Sequence, residues 1–468
     1  MSEEKIIPTN TIVAGTGNVK AVYFLGIGGI GMSAIARYFL SRGVRVSGYD
    51  KTPTSLTKQL GEEGMQIHYE DNIELIDKNA DIVVYTPAIP ATHTELIYYR
   101  NHPYSLMKRS EVLGLITDDH YNICVAGTHG KTTTSAMVAH VLRHSGYGCN
   151  AFLGGIASNY DTNFWSSEKD VCVVEADEYD RSFLKLSPDV AIITAMDADH
   201  LDIYGTEEAM QDAFIAFTEK IKEEGLLIYK NGIARADHFK ADDKMSYGAG
   251  DETADVHSKN IQIKNGSYSF DVKIANLLIE DVALNMGGMH NVENALAAIA
   301  VAYHVGIEVS DIKTALADFT GVKRRFEYLI KNEQLVFIDD YAHHPEELRA
   351  LISSAKELFE GKKCTVVFQP HLFSRTNDLA EGFAEVLSMA DETILLPIYP
   401  ARELPMPGVS SELILHKMTN NSKSIQSKEA VMQYLSSADF EKENALLIFC
   451  GAGDIDTMIQ PVKELLTV

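Results

Sequence analysis

The sequence predicts an α/β fold in three domains, and three observations carry that reading. Short apolar runs alternate with segments of helical periodicity along most of the chain, as parallel sheets covered by helices require. Glycine-rich turns join an apolar run to a helix at Gly26–Gly31 and again at Gly127–Gly130. The strand–turn–helix series restarts near residues 120 and 328, so the expected domains span 1–118, 119–327 and 328–468. A chain of 468 residues has room for several domains of about 100–200 residues each.

The first series opens with Ala21–Leu25, and the helix after its turn carries Ile35, Ala36, Phe39 and Leu40 on one face. Val44–Gly48 and Ile82–Thr86 read as its next strands. The second series opens with Asn122–Ala126, followed by a helix with Met137, Val138, Val141 and Leu142 on its apolar face. Val171–Glu175, Ala191–Thr194 and Leu226–Tyr229 continue it. Asn260–Leu278 breaks the pattern. It alternates like an antiparallel pair around Asn265-Gly266, a two-residue hairpin turn, and is expected as a flap of the middle domain. Leu335–Asp339, Thr365–Phe368, Thr393–Leu396 and Leu446–Cys450 supply the third series.

Composition bounds the class of function. Hydrophobic residues make up 46% and charged residues 23%, which is ordinary globular usage. No run approaches the ~18 uncharged apolar residues of a membrane span. Met1-Ser2-Glu3-Glu4-Lys5 has no apolar signal core, so a cytoplasmic chain without a membrane partner is expected. Cys124, Cys149, Cys172, Cys364 and Cys450 are scattered and form no C-x-x-C pair. That argues for a reducing compartment and against a disulfide framework or a zinc cage. Sixty-six acidic residues against 41 basic ones give a net charge of -25, which repels nucleic acid. A phosphorylated ligand must then be met by local cations and helix N-termini.

Two loops have that chemistry. Gly26-Ile27-Gly28-Gly29-Ile30-Gly31 leads from a strand into a helix, where bare backbone can approach a diphosphate. Asp50 ends the next strand, where a ribose contact is expected. The motif does not distinguish a nicotinamide dinucleotide from a UDP-sugar. In the second loop, Gly127-Thr128-His129-Gly130-Lys131-Thr132-Thr133, the segment Gly130-Lys131-Thr132 matches the end of a phosphate loop. Its amides would cradle phosphates, Lys131 would reach the β and γ oxygens, and Thr132 would ligate Mg²⁺. Val125 stands where the first glycine of the long form belongs, so the loop is a shortened variant. A dehydrogenase has no use for this second loop.

Further residues cluster at strand ends. Glu175 continues the apolar run of its strand and is a candidate ligand for a hard cation. Asp197-Ala198-Asp199-His200 forms a second acidic strand end, with His200 a candidate metal ligand. Asn291 and Asn294 share a helix face and either cap the helix or present amides to a base. Arg324-Arg325 reads as a solvated pair or as a clamp on a terminal phosphate. Asp340, Tyr341 and His343 follow one strand, and His371 and Arg375 follow another. Arg375 could pair bidentately with a carboxylate.

In order, GIGGIGMS, GTHGKTTT, EADE, DADHLD, HNVENALAA, GVKRRFE, DDYAHHP and FQPHLFSRT resemble the Mur ligase family along essentially the whole chain. The resemblance implies a Rossmann-like N-terminal domain that binds a UDP-sugar, with Gly28, Gly29 and Gly31 near the diphosphate. It implies a central phosphate-loop domain that binds ATP, with Mg²⁺ on Thr132, Glu175 and His200. Asn291 and Asn294 would sit by the adenine, and Arg325 and Asp340 by phosphates and ribose. A Rossmann-like C-terminal domain would set Tyr341, His343, His371 and Arg375 around an amino acid. DDYAHHP followed by FQPHLFSRT points to the member that adds L-alanine to UDP-N-acetylmuramate, as a monomer or homodimer. Lys131, His343 and Arg375 are then the expected catalytic residues. Leu372 departs from the pattern, because a second arginine is common there.

Overall fold

The computed structural model describes residues 19–118, 120–197, 201–401 and 403–467, so His200 lies outside the described residues. The described residues form an α/β fold with three sheets.

The first sheet is parallel throughout. Its strands are β1 (Ala21–Leu25), β2 (Arg45–Tyr49), β3 (Gln66–His68), β4 (Ile82–Tyr85) and β5 (Ser105–Lys108), in the order β3-β2-β1-β4-β5. The strand order reverses beside β1, and the glycine turn leaves the carboxyl end of β1 at that crevice.

The second sheet contains β6 (Tyr121–Ala126), β7 (Asn150–Ala157), β8 (Thr162–Trp165), β9 (Val171–Glu175), β10 (Val190–Ile193), β11 (Leu226–Lys230), β12 (Asp243–Ala249), β13 (Val256–Lys264), β14 (Ser267–Ile274) and β15 (Leu277–Leu284). Their order is β15-β14-β13-β12-β11-β10-β6-β9-β7-β8. Strand β6 pairs in parallel with both β9 and β10, and β7 with β8 is antiparallel. The third sheet runs β16-β17-β21-β18-β19-β20, from β16 (Glu327–Lys331), β17 (Leu335–Asp340), β18 (Lys363–Phe368), β19 (Glu392–Leu395), β20 (Ser422–Ile425) and β21 (Ala445–Cys450). Only its edge strand β16 is antiparallel.

By compactness the chain forms two units. The larger runs to Lys259 and takes in Val272–Ile279 and Glu293–Leu316. The smaller holds Asn260–Asp271, Glu280–Val292 and Ala317–Val468. The first sheet and most of the second lie in the larger unit, within which the helix Ile30–Ser41 packs on the β7–β8 hairpin. Tyr38 meets Phe152 and Phe164 with ring centroids 5.7 and 6.1 Å apart. Arg37 is buried, pairs bidentately with Glu63, and donates to Asn163. The Asn163 amide donates in turn to Ile30 O at 2.6 Å and Ser33 Oγ at 2.9 Å.

The Asn265-Gly266 turn forms as expected, both residues having positive φ of 51° and 67°. Its tip belongs to the smaller unit rather than to the rest of the middle domain, since Tyr328 Oη and Lys331 Nζ donate to Gly266 O at 2.8 and 2.9 Å. All five cysteines are buried and free. No described helix is long and apolar enough to cross a membrane.

Candidate active site

Because β6 lies between β9 and β10, the loops leaving their carboxyl ends meet at one switch point. That brings together the glycine–lysine loop after β6, the Glu175–Glu178 segment after β9 and Asp197 after β10. The loop needs glycine twice. Gly127 has φ +139° and Gly130 has φ +80°, values that side chains with a Cβ disfavour. A Cβ on Gly127 would collide with Thr194, and one on Gly130 would stand 3.0 Å from Asn294 Oδ1. Thr194 Oγ1 donates to His129 O, and Thr128 N donates to Ala195 O at 3.1 Å, which staples the loop to the end of β10. Gly130 starts the helix Lys131–His144, so the first amides of that helix face the loop.

Lys131 Nζ donates to Gly127 O at 2.6 Å and to Glu178 Oε1 at 2.8 Å. Thr132 Oγ1 donates to Glu175 Oε1 at 3.1 Å, and Gly154 N donates to Glu175 Oε2 at 3.0 Å. Burial raises the proton affinity of both carboxyls, opposed chiefly by the charge of Lys131. The second oxygen of Glu178 is buried without a hydrogen-bond partner. Thr133 is buried, while His129 is exposed and 3.9 Å from Asp197 Oδ2. Thr134 Oγ1 donates to Asn294 Oδ1 at 3.0 Å, and Asn291 Nδ2 donates to Gly287 O at 2.6 Å, closing the turn before its helix.

In the first domain the expected phosphate and ribose residues meet directly. Gly28 N donates to Asp50 Oδ2 at 2.7 Å, and Thr52 N donates to Asp50 Oδ1 at 3.2 Å. Asp50 therefore fixes the glycine turn. A Cβ on Gly28 would stand 2.6 Å from Thr57 Cγ2, and one on Gly31 would stand 3.1 Å from Arg109 Nη1. Gly29 is less confined, its nearest neighbour being Gly26 O at 3.4 Å.

In the smaller unit the loops after β17 and β18 flank β21. Asp340 accepts from Phe326 N and Ala342 N, both at 2.7 Å. Arg325 lies 5.6 Å from the centroid of the Tyr341 ring. His343 Nδ1 donates to Tyr341 O at 2.9 Å, which leaves Nε2 as the acceptor nitrogen. The His343 and His371 rings are 6.3 Å apart. Burial first, and Arg375 in addition, depresses both imidazole pKa values. Arg375 Nη1 and His371 Nδ1 are buried without partners, as an anion's binding groups would be. Leu372 has φ +69°, a strained value for leucine, at the start of the helix that carries Arg375.

Three family profiles match in chain order: Mur ligase family, catalytic domain, over residues 21–121; Mur ligase middle domain over 125–302; and Mur ligase, glutamate ligase domain, over 324–453. The chain belongs to the Mur ligase family. The UDP-N-acetylmuramate–L-alanine ligase of Parabacteroides distasonis is 50% identical to it over 454 residues, which is 96% of this chain and 97% of that one. The ligase of the same name from Flavobacterium johnsoniae is 47% identical over 452 residues, 96% and 98% of the two chains. Among solved structures, the UDP-N-acetylmuramate–alanine ligase of Thermotoga maritima superposes with a TM-score of 0.81 at 30% identity, covering 96% of this chain and 99% of that one. The murein peptide ligase of Psychrobacter arcticus, at 23% identity over 96% and 98% of the two chains and a TM-score of 0.68, shares the fold.

The residues of this Mur ligase fit ATP and Mg²⁺. Two positive-φ glycines shape a loop that brings a lysine and the first amides of a helix together, and an unpartnered carboxylate oxygen lies beside that lysine. Among the described residues no cluster of three or more His, Cys, Asp or Glu forms a metal cage. Mg²⁺ does not require one, since it is commonly held by one or two protein oxygens together with phosphates. Glu178, Thr194 and Arg109 join these sites without a sequence motif of their own to mark them. Glu178 was visible in EADE but overshadowed by Glu175. Thr194 looked like the end of an apolar run, and Arg109 followed no motif at all.

Proposed function

We propose that this Mur ligase joins the amino group of L-alanine to the carboxylate of UDP-N-acetylmuramate, converting ATP to ADP and phosphate, in peptidoglycan precursor synthesis. The observation that carries the reading is the loop in which Lys131 and Thr132 face Glu178 and Glu175. The names of relatives identical at 47–50% over nearly the full chain support the substrates. In this reading residues 1–118 receive the UDP-sugar, 119–327 hold ATP, and 328–468 take the amino acid, in a cytoplasmic enzyme.

A carboxylate is a poor acyl donor because its leaving group would be oxide. ATP, when bound, would supply the phosphoryl group that turns the sugar carboxylate into an acyl phosphate, and Thr132 and Glu175 would hold the Mg²⁺ that offsets charge there. Lys131 and the amides of the loop orient the phosphates and neutralise charge that develops there. Arg325 and Asp340 contribute on the nucleotide side, with Asn291 and Asn294 toward its base. Arg375 and His371 hold the alanine carboxylate. The uncharged amine attacks the acyl carbon, the new N–C bond forms as the C–O bond to phosphate breaks, and inorganic phosphate leaves. His343, kept neutral by burial, accepts the amine proton at Nε2.

The competing reading is a ligase that reattaches recycled peptide. Phosphate release with UDP-N-acetylmuramate, ATP and either L-alanine or a tripeptide separates the two. Release that requires L-alanine is expected. Release with the tripeptide and none with L-alanine would overturn the proposal.

A further inference from the structure

A cleft in the larger unit is bordered by Arg109 and Leu113 on one side and by Glu175, Asp177 and Phe183 on the other. Arg109 is the cation in it. The stem and head of this arginine lie over the bare face of Gly31, with Nη1 3.1 Å and Cζ 3.5 Å from where a Cβ would stand. Its Nη2 is 3.5 Å from Asp177 Oδ2, in the segment between Glu175 and the buried Glu178. Beside it, Lys108 Nζ is 3.7 Å from Asp180 Oδ2. One guanidinium thus touches the glycine turn of the first domain and the acidic segment that borders the phosphate loop of the second. In a chain of net charge -25, a guanidinium in a cleft beside a glycine turn meets the need for a local cation.

We infer that Arg109 is a binding residue for an oxyanion of the UDP-sugar, exchanging Asp177 for that anion when the sugar nucleotide arrives. The inference rests on the function proposed above. Two oxyanions of the same ligand meet the chemistry, the diphosphate and the carboxylate to be activated. Gly31 is then glycine because a side chain there would push the guanidinium aside. The contact with Asp177 is long and half-exposed, the kind of ion pair that contributes little by itself and exchanges readily.

The test is calorimetric titration of the whole enzyme, wild type and Arg109→Ala, with UDP-N-acetylmuramate, with UDP-N-acetylglucosamine, which lacks the carboxylate, and with ATP. The expected result is at least a tenfold loss of UDP-N-acetylmuramate affinity, with ATP affinity changed less than twofold. A parallel loss for UDP-N-acetylglucosamine assigns Arg109 to the diphosphate, and its retention assigns Arg109 to the carboxylate. Unchanged UDP-N-acetylmuramate affinity, or an equal loss for ATP, overturns the inference. If Arg109→Ala melts below the assay temperature, Arg109→Met replaces it, keeping the stem over Gly31 and removing the charge, and is judged by the same outcomes. Failure of the wild type to bind UDP-N-acetylmuramate would instead overturn the proposed function.

Discussion

Lys131 Nζ stands 2.8 Å from Glu178 Oε1, so the lysine of the phosphate loop is held by a buried carboxylate. Glu178 is fixed in turn through its carbonyl, which accepts from Tyr204 Oη at 2.6 Å. Glu178→Gln keeps the shape and removes the charge. It should lower the stability of the nucleotide-free enzyme by about 1–3 kcal/mol, measured by denaturant midpoint. Saturating ATP should narrow that gap, because phosphates then partner Lys131. An equal deficit with and without ATP would contradict this.

Lys131→Ala removes the charge that faces the phosphates. ADP formation in the presence of both cosubstrates should fall by about 10²–10³-fold or more, read by a coupled ADP assay. Undiminished ADP formation would refute the assignment of this loop to ATP.

Gly130→Ala tests the loop's backbone. Alanine at φ +80° costs about 1–2 kcal/mol, and its Cβ would press on Asn294 Oδ1. The KM for ATP should rise about tenfold, with the KM for L-alanine little changed. Steady-state kinetics with each substrate varied in turn will show whether the effect is confined to ATP.

Glu95 offers a pH test remote from the loop. It is fully buried in the first domain, where its Oε2 accepts from Tyr23 Oη at 2.6 Å. Burial pushes its pKa up to about 7. The folded chain therefore holds this proton more tightly than the unfolded chain, whose glutamates titrate near 4.3. The resulting stabilisation is complete below that range and is lost as pH rises through about 7, a swing on the order of 3 kcal/mol. Glu95→Gln should flatten the decline in melting temperature between pH 5 and pH 8. A variant that declines as steeply as the wild type would exclude Glu95 as its source.

His343 and His371 are both depressed by burial, so each is neutral at pH 7 and gains a proton only at lower pH. If His343 takes the amine proton, kcat should fall on the acid side. His343→Gln should abolish that limb and lower kcat by about 10²–10⁴-fold. A rate profile that keeps its acid limb in the variant would assign the limb elsewhere.

The strands bearing motifs were legible because both faces of a central parallel strand are buried. Val171–Val174 and Leu446–Cys450 are unbroken apolar runs. The edge strands Gln66–His68 and Ser422–Ile425 were not legible, because half-buried polar residues leave no such run. The β7–β8 hairpin was also hidden, its turn lacking the Asn-Gly signal that marked residues 265–266. Lys131, Thr132 and Glu175 could be singled out because phosphate chemistry demands them in a fixed local pattern. Glu178, Thr194 and Arg109 could not, since their roles come from strands distant in sequence that lie side by side in space.

The clasp between Arg37 and Asn163 bears on any attempt to take the chain apart. A fragment that stops at residue 118 would carry Tyr38 without Phe152 and Phe164, and Arg37 without one of its acceptors. Such a piece would present a greasy, half-satisfied helix to solvent and would tend to stick to itself. Grafting this segment from one homologue onto another inherits the same fault, unless the hairpin that receives the helix travels with it.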